Sequence, residues 1–551
     1  YIPEGEALES ALIRSELAKK LPASYLPGYF APLREFPLTP NKKIDRKQLP
    51  MPKYGASSTG ERMAARNSIE KKLWDVFSRN FDSDDIGVTD NFFEMGGVSL
   101  MALRIVVDVS ELFKRDVAVD AFLTHPTIEQ LALYLDSEKV EAAEESVDEA
   151  PMADFSDLEH INVEESAAVM PELDAVALTY IPDSLASLSG MSRDEISERL
   201  FAGKPRLSNS YELEQGRIGV IMLPCFETDF YKDPESVKLA TLSALEMAGQ
   251  SGAKNVSLTG VIPSATDYGR DIAEWMKGID GLPPITTGDA TRSATIVKSV
   301  EGILNEAKRE ISGETVSVVG LGSIGFGSVR LMLDVMDHPK HLILCDPYQT
   351  DDQMSRIRDR FRDAGYQGQI DIVKNGGALP PEVYEASMVI ASSNLPGVLD
   401  IEALKPGALV DYSFPPVFKL DRAIKRFATE RDILFTTGGE LKMPEVVGET
   451  VYLPEGLDEM DDSVQNSFIK FLASRDKHEI TGCVLVSLLT GTGEGIEPTI
   501  GPLENDDAIA HYEYLEELGV KSARLQMSGY FLPEESVTSF RDRRTGTSTA
   551  S

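Results

Sequence analysis

Between Thr315 and Asp346 the residues follow an order that few folds can accommodate. A β-branched run, Thr315-Val316-Ser317-Val318-Val319, meets glycines spaced Gly320-Leu321-Gly322-Ser323-Ile324-Gly325. An apolar helical stretch follows from Ser328 to Met336, then a second strand-like run, His341 to Cys345, ending in Asp346, 21 residues after Gly325. Strand, glycine turn, helix, strand and acid in that order predict a βαβ unit of a parallel sheet. The first glycine permits the tight turn, the second lets a pyrophosphate approach the backbone, and the third packs helix on strand. The helix N-terminus offers amide donors to phosphate. The expected cofactor-binding residues are Gly320, Gly322, Ser323, Ile324, Gly325 and Asp346. Asp346 is suited to bond a ribose 2'-hydroxyl and would repel a 2'-phosphate, so NADH is expected over NADPH.

The rest of the chain is organised around that unit. With 551 residues it is too long for one hydrophobic core, and several domains are expected. From about residue 175 short apolar runs such as "RIGVIMLPCF", "HLILCD" and "GALVDYS" alternate with helical stretches, which predicts an α/β region. Residues 65–137 show helical spacing in "SIEKKLWDVFSRNF", "SLMALRIVVDVSELF" and "TIEQLALYL", the last with Thr124 or Thr127 as a cap. Between these regions, residues 138–174 are crowded with acidic side chains, and Lys139 is the one basic residue. Such a segment buries too little surface to offset its ordering entropy and is expected to be a flexible linker. The tail, residues 531–551, is expected to be disordered.

Net charge narrows the partners. At -36 the chain lacks the clustered Lys and Arg that phosphate-backbone contact needs, so no nucleic-acid partner is expected. No apolar run reaches membrane-spanning length, and no secretory signal opens the chain, so a cytoplasmic protein is expected. The three cysteines, Cys225, Cys345 and Cys483, suit neither a disulfide framework nor a zinc site, and no metal is expected. The chain opens in "YIPEGEALES" without methionine, as expected of a piece of a larger protein.

Two motifs near the N-terminus carry a resemblance. "FPLTPNKKIDRKQLP", residues 36–50, resembles the closing motif of adenylation domains in non-ribosomal peptide synthetases. The resemblance makes residues 1–55 a small α+β lid subdomain and gives Lys43 the catalytic lysine's place, with Lys42 where the family has glycine. An upstream adenylation core is then the expected partner. "DNFFEMGGVSL", residues 90–100, resembles the signature of peptidyl carrier domains, four-helix bundles. Two glycines permit a tight turn, and a serine at a helix start is exposed and oriented. The resemblance implies that Ser99 carries 4'-phosphopantetheine, added by a phosphopantetheinyl transferase, and that the arm holds an acyl or aminoacyl thioester.

Residues 175–530 resemble cyanobacterial-type long-chain acyl-carrier-protein reductases. The matching pieces are "SLASLSGMSRDEISERLF", "PCFETDF", "TTGDATRSATIV" and "ITGCVLVSLLTG". The resemblance divides the region into an N-terminal substrate part (175–285), a Rossmann part (286–470) and a C-terminal helical part (471–530). It implies reductive release of the tethered thioester as an aldehyde by a reduced nicotinamide cofactor. Cys483 becomes the expected nucleophile and Cys225 the second choice; Cys345 reads as structural. Thr287, Gly288 and Asp289 either face the nicotinamide or an oxyanion, or cap a helix. "GGELKMP", residues 438–444, is expected at the cofactor crevice, and His478 reads as a solvated histidine or a proton-transfer aid. Two alternatives stay open: an oxidoreductase that alters the tethered group without release, and a non-catalytic scaffold that docks the carrier.

Overall fold

The computed structural model describes parts of residues 63–141, residues 161–165 and, with short gaps, residues 170–545. The lid motif with Lys43 and the serine loop with Ser99 lie outside the described residues.

In the carrier-like region two helices have described bounds, Ser68–Phe81 and Ile128–Glu141. Leu73, Val76, Phe77 and Phe81 recur at helical spacing, and all are buried. Their rings meet Phe92 and Phe122, with Phe77–Phe122 centroids 5.9 Å apart and Phe92–Phe122 5.0 Å apart. Trp74 donates from Nε1 to the Ile86 carbonyl at 2.7 Å, which ties the loop after the first helix to that core. Thr127 accepts from the Gln130 N–H at 3.1 Å and caps the last helix, one of the two expected caps.

Among the described residues the remainder forms two main sheets. The strands of the first are β1 (Ile161–Glu165), β2 (Ala175–Ile181), β3 (Arg206–Leu213), β4 (Gly216–Phe226), β5 (Val256–Leu258), β6 (Ile285–Thr286) and β14 (Gly448–Leu453). Their spatial order is β1-β14-β3-β4-β2-β5-β6. The second is wholly parallel: β7 (Thr315–Val319), β8 (His341–Cys345), β9 (Gln369–Val373), β10 (Met388–Ala391), β11 (Gly407–Asp411) and β12 (Ile433–Thr437). Its spatial order is β12-β11-β10-β7-β8-β9, the doubly wound dinucleotide-binding order in which the strand order reverses between β7 and β10. A crevice opens there, beyond the carboxyl ends of the strands. A smaller sheet joins β13 (Glu440–Lys442), β15 (Glu479–Thr481) and β16 (Lys521–Ser522).

A central helix, Asp289–Ala307, leads from β6 to the second sheet. Even its polar Arg292, Thr295 and Lys298 are buried, so it is packed on nearly all sides. Gly302 and Gly482 mark its closest approaches. An added Cβ would come 2.0 Å from Ser522 Oγ at the first and 2.3 Å from Thr295 Oγ1 at the second.

Several expected boundaries are corrected. The acidic segment is not a linker throughout: the preceding helix reaches Glu141, and Ile161–Glu165 pairs parallel with β14. That pairing uses backbone hydrogen bonds with little burial (Val163 is exposed), so composition is blind to it. The tail is not disordered at its start, because Glu534–Thr545 is helical and buries Val537 and Phe540. Two apolar residues three apart suffice for one contact stripe. The 286–470 boundaries also shift. The parallel sheet spans 315–437, β14 returns to the first sheet, and the expected helical part contains β15 and β16 beside its helices.

Candidate active site

The crevice between the two sheets holds a cavity of about 540 Å³. The second sheet contributes Gly320, Gly322, Ser323, Ile324 and Asp346, together with Ser392, Ser393, Tyr412, Ser413, Thr437 and Gly439. The first contributes Tyr180 and the loop residues Gly260, Val261, Pro263, Ser264 and Tyr268. Asp289 and Arg292 line it from the central helix, and Thr481 and Cys483 from the late segment.

The three fingerprint glycines do different jobs. Gly320 has φ +91, and a Cβ there would stand 2.2 Å from the Ser392 carbonyl oxygen on the neighbouring crossover. At Gly325 a Cβ would stand 2.1 Å from the Gly320 oxygen, so this glycine lets helix and turn touch. At Gly322 a Cβ would meet nothing within 4 Å. That open face, at the N-terminus of the helix Ser323–Val335, fits a pyrophosphate. Asp346 accepts the Leu321 N–H at 2.6 Å and the Gln349 N–H at 3.0 Å. It therefore shapes the turn as well as facing the cavity. These residues fit a nicotinamide dinucleotide.

Cys483 is the second residue of the helix Gly482–Thr492, and the N-terminal turn of a helix favours negative charge. It is half-buried, and its thiol donates to Thr481 Oγ1 at 3.4 Å. The Ser257 hydroxyl donates to the Cys483 carbonyl at 2.8 Å, and the Gly482 N–H to the Gly439 carbonyl at 3.0 Å. The helix start is thus tied to β5 of the first sheet and to the turn between β12 and β13. Cys225 and Cys345 lie in apolar cores outside the cavity lining. Burial, reinforced by Asp229 and Asp233, pushes the Cys225 thiol up to about 12, and burial beside Asp346 does the same to Cys345. A thiol so held is a poor nucleophile at neutral pH, which corrects the second choice of Cys225.

The expectation for Thr287 and Gly288 is also corrected. Thr287 is fully buried outside the cavity lining, and its N–H donates to the Thr499 carbonyl at 2.8 Å. Gly288 has φ +74 and caps the central helix by backbone alone, with Val486 2.9 Å from an added Cβ. Asp289 is the residue of this segment that reaches the cavity. It accepts from Ser323 Oγ at 2.7 Å, and the Leu503 N–H donates to Ser323 Oγ at 2.8 Å. Burial pushes the Asp289 carboxyl up, against the opposing pull of Arg292 and Ser323. His478 lies outside the cavity lining, with Nδ1 2.8 Å from the Glu445 carbonyl.

Arg292, Tyr180, Tyr268 and Tyr412 were not singled out from the sequence. Arg292 sits inside "TTGDATRSATIV", where its helical position three residues after Asp289 signals an ion pair, here 3.5 Å long. Nothing local marks the tyrosines, which arrive from separate elements.

Glu479 opens the strand leading to Cys483. Burial, then Glu440 and Asp476, push its carboxyl up to about 8. A carboxyl raised above its unfolded value binds its proton more tightly in the native state. Its contribution is full below about 4.5 and is lost as pH climbs to about 8. Thermal unfolding from pH 5 to 8 should show the wild type losing on the order of 4 kcal/mol relative to Glu479→Gln, whose curve lacks this slope. Parallel curves would contradict a buried, protonated Glu479.

Comparison with known proteins places the two halves differently. Residues 75–135 match the family of the phosphopantetheine attachment site. The chain is 36% identical over 142 residues to tyrocidine synthase 3 of Brevibacillus parabrevis, covering 26% of this chain and 2% of that protein. It is 29% identical over 217 residues to tyrocidine synthase 2 of the same organism, covering 39% of this chain and 6% of that protein. The chain thus spans only a few per cent of the length of these relatives. Among solved structures, L-tryptophan dehydrogenase from Nostoc punctiforme is 12% identical with a TM-score of 0.28, over 68% of this chain and 90% of that one. The chain accordingly combines a carrier-type phosphopantetheine attachment region similar to those of peptide synthetases with a downstream α/β region built on a Rossmann-ordered parallel sheet.

Proposed function

We propose that the chain releases an acyl or aminoacyl group, tethered as a thioester to phosphopantetheine on Ser99, as an aldehyde. The observation that carries this reading is that the Cys483 thiol and the dinucleotide fingerprint open on one cavity. A reduced nicotinamide dinucleotide, held by Gly320, Gly322, Ser323, Ile324 and Asp346, supplies the hydride equivalent such a reduction needs. Cys483 accepts the acyl group. Its sulfur bonds to the thioester carbonyl carbon, the bond to the pantetheine sulfur breaks, and that sulfur takes up the proton Cys483 gave away. Exchange of one thioester for another is nearly balanced, so positioning decides the rate. The ties of Cys483 to Ser257 and of Gly482 to Gly439 supply that positioning. Phosphopantetheinyl transferase and an upstream adenylation core, whose lid includes Lys43, are the partners this reading requires. Tethering raises the effective concentration of the thioester at Cys483.

The test is anaerobic incubation of acyl-loaded chain with reduced nicotinamide. Free aldehyde with matching cofactor oxidation is the expected result. A chemically altered group still bound to Ser99 would point instead to tailoring without release, and the absence of any turnover to a docking scaffold.

Cofactor choice follows from Asp346. NADH should exceed NADPH by about ten-fold or more in kcat/KM, since one lost hydrogen bond and one added repulsion together exceed about 1.4 kcal/mol. Asp346→Ala should narrow that ratio and weaken both cofactors, because the Leu321 N–H loses its acceptor. Strong NADPH preference in the wild type would overturn this role of Asp346.

A further inference from the structure

Arg292 is 3% exposed and lines the cavity. A guanidinium there has five donors to satisfy. One Nη2 donor goes to the Leu258 carbonyl at 2.6 Å, and Nη1 has a long contact of 3.5 Å with Asp289. Nε is enclosed and has no hydrogen-bond partner, so the donors left for the cavity are the second N–H of Nη1 and the second N–H of Nη2. A buried charged group with an unmet donor is costly unless a ligand completes it. Burial works against its charge, yet the net shift is upward and the guanidinium stays protonated.

Strand β5 sets what lies beside it. Leu258 holds Arg292 by its carbonyl, while the adjacent Ser257 holds the Cys483 carbonyl through its hydroxyl at 2.8 Å. Two consecutive residues of one strand therefore anchor the guanidinium of Arg292 and the backbone of Cys483, both of which line the one cavity.

We propose that Arg292 is a second catalytic residue, binding the oxygen of the reacting thioester carbonyl. As the Cys483 sulfur bonds to the carbonyl carbon, the π electron pair moves onto that oxygen and leaves it negatively charged. The remaining Nη donors of Arg292 receive that charge. When the pair returns, the bond to the pantetheine sulfur breaks and the departing thiolate is protonated. A preorganised donor favours this transient charge over the ground state. The inference rests on Cys483 being the acyl acceptor.

The test uses the full chain, loaded at Ser99 from [1-13C]butyryl-coenzyme A by a phosphopantetheinyl transferase, with no nicotinamide present. The rate of butyryl transfer to the peptide containing Cys483 is followed by mass spectrometry, and folding by circular dichroism. Arg292→Gln should slow transfer on the order of a hundred-fold, and Arg292→Lys, which keeps the charge, should lose clearly less. Isotope-edited infrared spectra of the wild-type adduct should show the 13C carbonyl stretch lowered in the native protein and restored on denaturation. This second measurement needs no variant, so it decides the matter if Arg292→Gln does not fold. Wild-type transfer matched by folded Arg292→Gln, or an unshifted native carbonyl stretch, overturns the role of Arg292 while leaving Cys483 in place. Failure of the wild type to form any adduct on Cys483 overturns the acyl-acceptor reading and this inference together.

Discussion

Replacing Cys483 with alanine is expected to lower aldehyde formation on the order of a thousand-fold or more, since among the described residues of the cavity lining no other thiol is present to take over its role. The fold should survive, because the side chain is half-buried and the helix start is held by backbone bonds of Gly482 and Cys483. NADH binding should persist, since the fingerprint is untouched. The variant should still load phosphopantetheine at Ser99 and should then stall with the acyl group on the carrier. Ser99→Ala stalls one step earlier: it should take up no phosphopantetheine mass, yet its Cys483 should still accept an acyl group from free acyl-pantetheine. Cys225→Ser should retain turnover. Folded Cys483→Ala with near-normal aldehyde output would decide for direct reduction of the pantetheine thioester and against the covalent route.

The second large effect separates two glycines three residues apart. Gly325→Ala forces a methyl to within 2.1 Å of the Gly320 backbone oxygen, which cannot rotate away. Overpacking of that kind should destabilise the protein by about 2–3 kcal/mol, and nucleotide binding should fall with it. Gly322→Ala meets no neighbour within 4 Å and its φ of -66 suits any residue. Its stability should stay within about 0.5 kcal/mol of wild type. Its methyl nevertheless occupies the face where the pyrophosphate must approach, so NADH affinity should drop at least about ten-fold. Thermal unfolding with and without NADH, beside a fluorescence titration, distinguishes the two. Wild-type NADH affinity in Gly322→Ala would show that phosphate does not bind at this turn.

What the sequence determined by itself was the local chemistry. The strand–glycine–helix–acid order is readable because each residue meets a requirement within its own neighbourhood. Gly320 turns at positive φ, Gly325 touches Gly320, and Asp346 ends the adjacent strand. The helical spacing of Leu73, Val76, Phe77 and Phe81 is legible for the same reason, and so is Thr127 as a cap. Tertiary structure alone decided which distant groups meet. Cys483 and Cys225 look alike in sequence, each a thiol among apolar residues. Packing puts the first at a helix start on the cavity and the second inside a core. Thr287 and Asp289 are two positions apart, and only the path of the chain out of β6 turns one inward and the other to the cavity. Arg292, Tyr180 and Tyr412 come together across both sheets, and strand Ile161–Glu165 finds its partner nearly 300 residues later at β14. Such pairings depend on the summed burial and backbone hydrogen bonding of the whole fold. No local window carries that sum, so they appear only once the chain is folded.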